Sequence, residues 1–224
     1  ASNADYGHGT GVAGVILQIA PKAKIMPIRA MTSDGSGLTS DLAAGVDWAV
    51  AHGAQVINVS AVSSVDTTLS DAISRAGTKG VYVTLAAGND AWNVSYPARR
   101  SQQNNAFGQY AINAGAVNSD KTLADFSNYG LGLEISAPGV DIATPLPGGG
   151  YGLATGTSFS TPVLAGTLAL ALGQPYQAQY RGQLAQQMDG TGSNITSYNP
   201  TIDWNGQNLG YGLLDAAAFI KRIQ

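Results

Sequence analysis

The sequence predicts an α/β fold with three layers, in which a mostly parallel β-sheet carries helices on both faces. Short β-branched runs alternate with amphipathic helical stretches along the 224 residues, which is the pattern of strand–helix–strand units. The runs that predict strands are apolar almost without interruption, as expected for parallel strands covered on both faces. The chain shows no internal repeat and no linker, so we expect a single domain over residues 1–224.

The first half of the chain predicts helices and strands in alternation. A helix punctuated by glycines follows His8, and the apolar residues 23–31 predict a buried strand. Residues 38–54 predict a helix that ends at a glycine, a residue that commonly closes helices. The next predicted strand and helix cover residues 55–61 and 67–78.

The second half continues this alternation up to a long, strongly apolar helix that begins near Ser158. Further strands are predicted over residues 81–88 and 110–117 and, more briefly, over 133–139 and 142–146. Two further helices are predicted over residues 177–188 and 213–223, and the polar residues 98–109 predict a surface loop.

Composition excludes several classes of protein. The net charge is −3 and the 11 lysines and arginines are scattered, so the chain has no basic surface for nucleic acid. The longest apolar run, residues 162–173, is shorter than the roughly 20 residues that a membrane span requires. The absence of cysteine excludes disulfides and thiolate metal sites. The few basic residues and 29 glycines favour a secreted or extracytoplasmic protein, although no signal peptide is visible.

Three polar residues stand where parallel sheets usually place functional groups. His8 begins a glycine-punctuated helix in "GHGTGVAG", and Asn89 follows an apolar strand in "LAAGND". Ser158 begins the long helix in "GTSFSTP", where free N–H groups and the helix dipole favour negative charge. Taken singly, these residues are more often a first-turn histidine, a turn-forming asparagine and a helix-capping serine.

Taken together, these motifs resemble the subtilisin-like serine proteases, the subtilases. "HGTGVAG" resembles the histidine motif of that family, "AAGN" its oxyanion motif and "GTSFSTP" its nucleophile motif. The stretch "INAGAVNSDKTLADFSNYG" and the C-terminal "GYGLLDAAAF" also resemble the family, so the resemblance covers essentially the whole chain.

The resemblance implies a serine endopeptidase acting on polypeptides. Ser158 would attack the peptide carbonyl and form an acyl-enzyme, and His8 would act as general base. The side chain of Asn89 and the backbone N–H of Ser158 would donate to the oxyanion. The implied substrate-binding residues are Ser60, Ala61 and Val62 along an extended substrate, and Ala87, Gly88 and Ser95 around the pocket for the residue before the scissile bond.

One expected group is missing from this pattern, namely the aspartate that orients the histidine. The family carries it on an upstream strand, but only seven residues precede His8, and Asp5 is too near His8 in sequence to be that aspartate. A histidine without its carboxylate loses control of its tautomer, a loss of about 10⁴ in kcat in serine proteases. We therefore expect this chain to lack the N-terminal strand that carries the aspartate, and to be impaired without that upstream segment.

An inactive subtilase that serves as a binding scaffold is the alternative. The missing aspartate favours it, as does Val62, which stands where the family usually has glycine. Retention of His8, Asn89 and Ser158 together argues against it, because a scaffold needs none of them. The glycine-rich stretch "SDGSGLTSD" ahead of a helix raises a third possibility, a nucleotide-binding protein. It lacks both the Gly-Lys-Ser/Thr of a P-loop and a spaced G-x-G-x-x-G, so a simple loop is favoured.

The sequence predicts no cofactor and no metal site. Structural calcium is compatible with the family, but no dense acidic loop offers a ligand set. The pairs Asp120/Asp125 and Asp66/Asp71 are interpreted as helix or turn residues. The expected partners are a polypeptide substrate and the upstream chain segment or a propeptide.

Overall fold

Four parallel strands form the central sheet of the computed structural model, which describes residues 7–65, 68–202 and 208–224. The sheet has the order β1-β2-β3-β4. The strands are β1 (Val56–Val59), β2 (Tyr82–Ala86), β3 (Ala111–Val117) and β4 (Ile135–Pro138). Every residue of β2 and β3 is buried. This burial explains why the strands are mostly apolar, since helices cover both faces of the sheet.

Seven α-helices surround the strands within the described part of the chain. They are α1 (His8–Ile19), α2 (Thr39–Ala51), α3 (Thr68–Thr78), α4 (Ala106–Tyr110), α5 (Thr157–Leu172), α6 (Leu184–Asp189) and α7 (Ala216–Ile223). Short 3₁₀ turns lie at Ala98–Arg100, Ala178–Tyr180 and Thr196–Tyr198.

Two apolar cores lie on opposite faces of the sheet. On one face, Leu85 of β2 packs in a cluster with Ile73 of α3 and Val46 of α2. On the other, Ile112 of β3 packs in a cluster with Leu164 of α5, together with residues of α6 and α7. Helix, sheet and helix thus form three layers, which confirms the predicted fold class.

A β-hairpin leads from the sheet to α5. Its strands β5 (Ile142–Pro145) and β6 (Tyr151–Ala154) pair antiparallel. The three glycines of its turn, 148–150, all have positive φ, a conformation that side chains other than glycine rarely adopt. The short strands predicted near 133–139 and 142–146 are confirmed by β4 and β5, whereas β6 was not predicted.

The strand predicted over residues 23–31 is wrong. This segment has no regular secondary structure, and Ile25, Met26 and Ile28 are each more than a third exposed. An apolar run becomes a strand only where a neighbouring strand satisfies its backbone groups. Among the described strands, none pairs with this segment, and the sheet has β1 at its edge.

Two C-terminal predictions need correction. The helix predicted over residues 177–188 is interrupted at Gly182, which has φ +74° and lies against the hydroxyl of Tyr110, so only α6 and a 3₁₀ turn form. The helix predicted from residue 213 begins at Ala216, because Asp215 caps it by accepting a hydrogen bond from the N–H of Ala218. Leu213 instead bridges to Ser136 and Ser193.

Candidate active site

The first turn of α5 places Ser158 beside the end of β1. Gly156 is the N-cap of the helix and has no side chain with which to cap its free N–H groups. Ser160 fixes the helix to the sheet, since its buried hydroxyl donates to the carbonyl of Ala137 in β4 at 3.1 Å. Pro162 lies inside α5, and because it has no N–H, the carbonyl of Ser158 four residues earlier lacks its usual partner within the helix. The predicted nucleophile therefore sits at a helix N-terminus whose donors face the same region.

A chain of polar groups joins Ser158 to the sheet. The hydroxyl of Ser60 donates to the carbonyl of Ser158 at 2.7 Å, and the amide of Asn58 donates to that hydroxyl at 2.9 Å. The hydroxyl of Ser158 in turn points to the carbonyl of Ser60, 3.4 Å away. The predicted substrate segment thus begins in direct contact with the predicted nucleophile.

His8 opens α1 and lies next to the same turn of α5. Its ring meets the ring of Phe159 edge-on, with 5.5 Å between the ring centroids and 64° between the planes. Phe159 immediately follows Ser158, so this contact places the histidine beside the nucleophile's turn. Close packing of α1 on α5 supports the contact, because Gly166 leaves room for Ile19.

Asn89 is oriented by Thr157. The carbonyl oxygen of the Asn89 side chain accepts hydrogen bonds from both the N–H and the hydroxyl of Thr157, each at 2.9 Å. The hydroxyl of Thr157 also accepts from the N–H of Gly88 at 3.2 Å. With both acceptor positions of its oxygen used, the amide nitrogen of Asn89 is left to face outward. The sequence gives no sign of this role for Thr157, because Asn89 lies 68 residues away along the chain.

Gly156 keeps the space between two N–H donors open. An ideal Cβ on Gly156 would lie 3.5 Å from the amide nitrogen of Asn89 and 3.8 Å from the backbone nitrogen of Ser158. Both donors therefore border one small space beside the nucleophile, as stabilisation of a developing oxyanion requires.

The predicted pocket residues Ala87, Gly88 and Ser95 lie in one hydrogen-bonded loop. The N–H of Ser95 donates to the carbonyl of Ala87 at 2.9 Å. An ideal Cβ on Gly88 would lie only 2.9 Å from the hydroxyl oxygen of Ser95 and 2.3 Å from the amide nitrogen of Asn128. The sequence around Asn128 does not predict these contacts, because their partners lie far away along the chain.

The segment from Ser60 to Val62 runs along the surface beside the nucleophile. It is held at its end by two hydrogen bonds between the backbones of Ser63 and Tyr96, at 2.7 and 3.2 Å. Ala61 is half-buried, whereas Val62 is 46% exposed. The branched side chain of Val62 is therefore open to solvent.

Two carboxyl groups lie buried away from this site. Burial raises the pKa of Glu134 to about 8, although hydrogen bonds from Ser101 and the N–H of Asn113 act in the opposite direction. Burial also raises the pKa of Asp189, and the neighbouring charge of Glu134 adds to this effect. One carboxyl oxygen of Asp189 is buried without a hydrogen-bond partner.

The acidic pairs Asp120/Asp125 and Asp66/Asp71 lie in turns and at a helix start, as far as the structure describes them. Asp120 accepts hydrogen bonds from the N–H and hydroxyl of Thr122, and these lower the pKa of Asp120. Asp71 lies in the first turn of α3, and Asp66 lies outside the described residues. Residues 7–65, 68–202 and 208–224 contain no group of three or more His, Cys, Asp or Glu side chains placed to hold a metal ion. In the same ranges no helix is both long and apolar enough to cross a bilayer.

Comparison with known proteins gives a family match and several close relatives. The model of the subtilase family matches residues 1–191. Subtilisin BL of Lederbergia lenta is 36% identical over 204 residues, which cover 86% of this chain and 72% of that protein. Alkaline elastase YaB of a Bacillus species is 34% identical over 223 residues, which cover 95% of this chain and 54% of that protein.

Solved structures agree with this match. A protease of Pseudoalteromonas arctica superposes with a TM-score of 0.79 at 27% identity, over 96% of this chain and 70% of that one. A cold-adapted subtilisin-like serine proteinase superposes with a TM-score of 0.75 at 31% identity, over 96% of this chain and 77% of that one. Because the family model covers residues 1–191 and Subtilisin BL is 36% identical over 86% of the chain, the chain belongs to the subtilase family of serine proteases.

Proposed function

We propose that this protein is a serine endopeptidase that cleaves polypeptides through an acyl-enzyme on Ser158. The observation that carries the proposal is the space beside Gly156, bordered by the Asn89 amide and the N–H of Ser158 next to the nucleophile's hydroxyl. The two hydrogen bonds from Thr157 fix the oxygen of the Asn89 amide, which supports its nitrogen as the donor toward that space.

In the proposed reaction the hydroxyl oxygen of Ser158 bonds to the peptide carbonyl carbon while His8 takes its proton. The carbonyl oxygen becomes negatively charged and accepts hydrogen bonds from Asn89 and from the N–H of Ser158. Collapse of this intermediate breaks the C–N bond, and His8 returns the proton to the leaving amine. Water then repeats the sequence and releases the acid. Loss of one oxyanion donor costs about 10²–10³ in kcat, a magnitude taken from subtilisin, a relative of this chain.

We propose further that the aspartate orienting His8 comes from a segment outside residues 1–224. Two features support an additional strand beside β1. The outer edge of β1 carries no described strand, and residues 23–31 lack regular secondary structure and expose Ile25, Met26 and Ile28. A strand added at this edge would satisfy the backbone of β1 and cover apolar side chains.

Labelling with a fluorophosphonate, followed by peptide mass spectrometry, tests both proposals. We expect an adduct on Ser158 in the protein as it is naturally produced, and a much slower reaction in residues 1–224 alone. The Ser158→Ala variant serves as control and should take no label. A folded natural product that takes no label and cleaves no peptide would overturn the protease proposal in favour of a binding scaffold. Equal rates in both forms would overturn the proposed outside aspartate.

A further inference from the structure

The buried side chain of Asn128 connects the loop that carries Asn89 to the segment after β3. Asn128 is fully buried. Its carbonyl oxygen accepts hydrogen bonds from the N–H of Asp90 at 2.8 Å and of Trp92 at 3.2 Å. Its nitrogen donates to the carbonyl of Ala87 and to the hydroxyl of Ser95, both at 3.1 Å.

These four contacts use every hydrogen-bonding position of a primary amide. An amide has two N–H donors and an oxygen with two acceptor positions, and only asparagine or glutamine offers this combination in a side chain. Glutamine is longer, and Asn128 already lies so close to Gly88 that a Cβ there would be 2.3 Å from its nitrogen. The site is therefore matched to asparagine in both chemistry and length.

The backbone of Asn128 reinforces the same connection. Its N–H donates to the carbonyl of Gly88 at 3.0 Å. Nearby, the N–H of Ala91 donates to the carbonyl of Phe126 at 2.9 Å. The residues before and after Asn89 are thus held on both sides. Asn89 itself is exposed, and its side chain is held by the hydrogen bonds from Thr157.

We propose that Asn128 is a positioning residue for the oxyanion donor Asn89, an inference that rests on the proposed protease function. By fixing the backbone at Gly88 and Asp90, Asn128 sets where the Cα of Asn89 lies, while Thr157 sets how its amide turns. A donor displaced by a fraction of an ångström stabilises the transition state less well, whereas substrate binding along Ser60 and Val62 is little affected.

A double-mutant cycle between Asn128 and Asn89 tests this inference in the protein as it is naturally produced. Asn128→Asp has the same shape but replaces the two donors with an oxygen that faces the carbonyl of Ala87. We expect kcat to fall about 10-fold or more, because the affected donor acts in the transition state. KM should rise as well, because the lost donors also hold Ala87 and Ser95 of the predicted pocket. In an Asn89→Ala background the same change should lower kcat less than about twofold, since the positioned group is gone.

Asn199→Asp is the matched control. Asn199 is also a buried asparagine, and its side chain accepts from the N–H of Leu123 at 2.7 Å and donates to the carbonyls of Lys121 and Ile195. The same substitution there should lower the thermal unfolding temperature and leave kcat within about twofold in both backgrounds.

The outcomes separate the two proposals. An equal fall in kcat for Asn128→Asp with and without Asn89 would overturn the positioning role and leave only a structural one. If Asn89→Ala itself left kcat unchanged, or if the parent took no label on Ser158, the proposed function would fail and this inference with it. Should Asn128→Asp not fold, Asn128→Ser is measured instead. Failure of both to fold would show a purely structural role and overturn the inference.

Discussion

At the scale of single residues, the hydroxyl of Thr157 connects the start of α5 to Asn89, the proposed oxyanion donor. It donates to the Asn89 side chain and accepts from Gly88, so it is fully used although it lies at a helix start. Thr157 is buried, and its second link to Asn89, through its backbone N–H, does not depend on the side chain. Removal of the hydroxyl should therefore loosen the Asn89 amide without abolishing its orientation.

We expect Thr157→Val to lower kcat about 5- to 10-fold, which corresponds to the loss of the hydroxyl's hydrogen bond to Asn89 at about 1 kcal/mol. Thr167→Val is the control, because its buried hydroxyl makes an ordinary bond to the carbonyl of Val163 one turn earlier in α5. Steady-state kinetics on a peptide substrate measure both variants. Equal effects of the two substitutions on kcat would contradict the assigned role of Thr157.

At the scale of elements, the helix that carries His8 owes its position to close contact with the hairpin. Gly14 of α1 lies against Pro145 of β5, where an ideal Cβ would be 2.1 Å from the proline ring. Gly9 of the same helix has nothing within 4 Å of its ideal Cβ. Two glycines of one helix therefore differ in whether a methyl group fits.

We expect Gly14→Ala to destabilise the protein by about 1–3 kcal/mol, because the proline ring cannot move without the backbone. Gly9→Ala, the matched control, should be neutral or stabilising by up to about 1 kcal/mol, since alanine favours helix over glycine. Urea unfolding measures both in a Ser158→Ala background, which prevents self-digestion. Equal stability of the two variants would show that α1 can shift away from the hairpin.

At the scale of the whole molecule, the buried carboxyl groups link stability to pH. The pKa of Glu134 is raised from 4.5 to about 8 by burial, and that of Asp189 is raised as well. In the unfolded chain both groups ionise near pH 4. Between that pH and about 8 the folded state therefore binds more protons than the unfolded state. The stability from these neutral groups is fully present below their unfolded pKa and declines as the pH rises through this window.

We expect Glu134→Gln to flatten that decline. One such group contributes at most about 1.4 kcal/mol per pH unit, and glutamine keeps an oxygen for the N–H of Asn113. The free energy of unfolding from pH 4.5 to 8.5, in the Ser158→Ala background, measures the slope. Asp120→Asn is the control, since the pKa of that exposed carboxyl is lowered and it stays ionised throughout. A slope unchanged by Glu134→Gln would contradict the assignment.

Much of the fold could be predicted because its signals are local. Continuous apolar runs predict β2 and β3, whose residues are all buried. Residues 23–31 are also rich in apolar side chains, yet they form no strand, because a strand requires a neighbour for its backbone groups. The helix predicted over residues 177–188 is interrupted at Gly182 for a similar reason, because the contact with Tyr110 comes from another part of the chain.

By itself, the sequence determined the three-layer α/β class and the resemblance of the motifs around His8, Asn89 and Ser158 to the subtilases, because residue type and periodicity are properties of short stretches. Only the tertiary structure decided how Asn89 is held. Thr157 and Asn128 act across 68 and 38 residues of sequence. Such contacts depend on where the turns of the chain come to lie in space, and hydrogen bonds form only where that geometry brings donor and acceptor within about 3 Å.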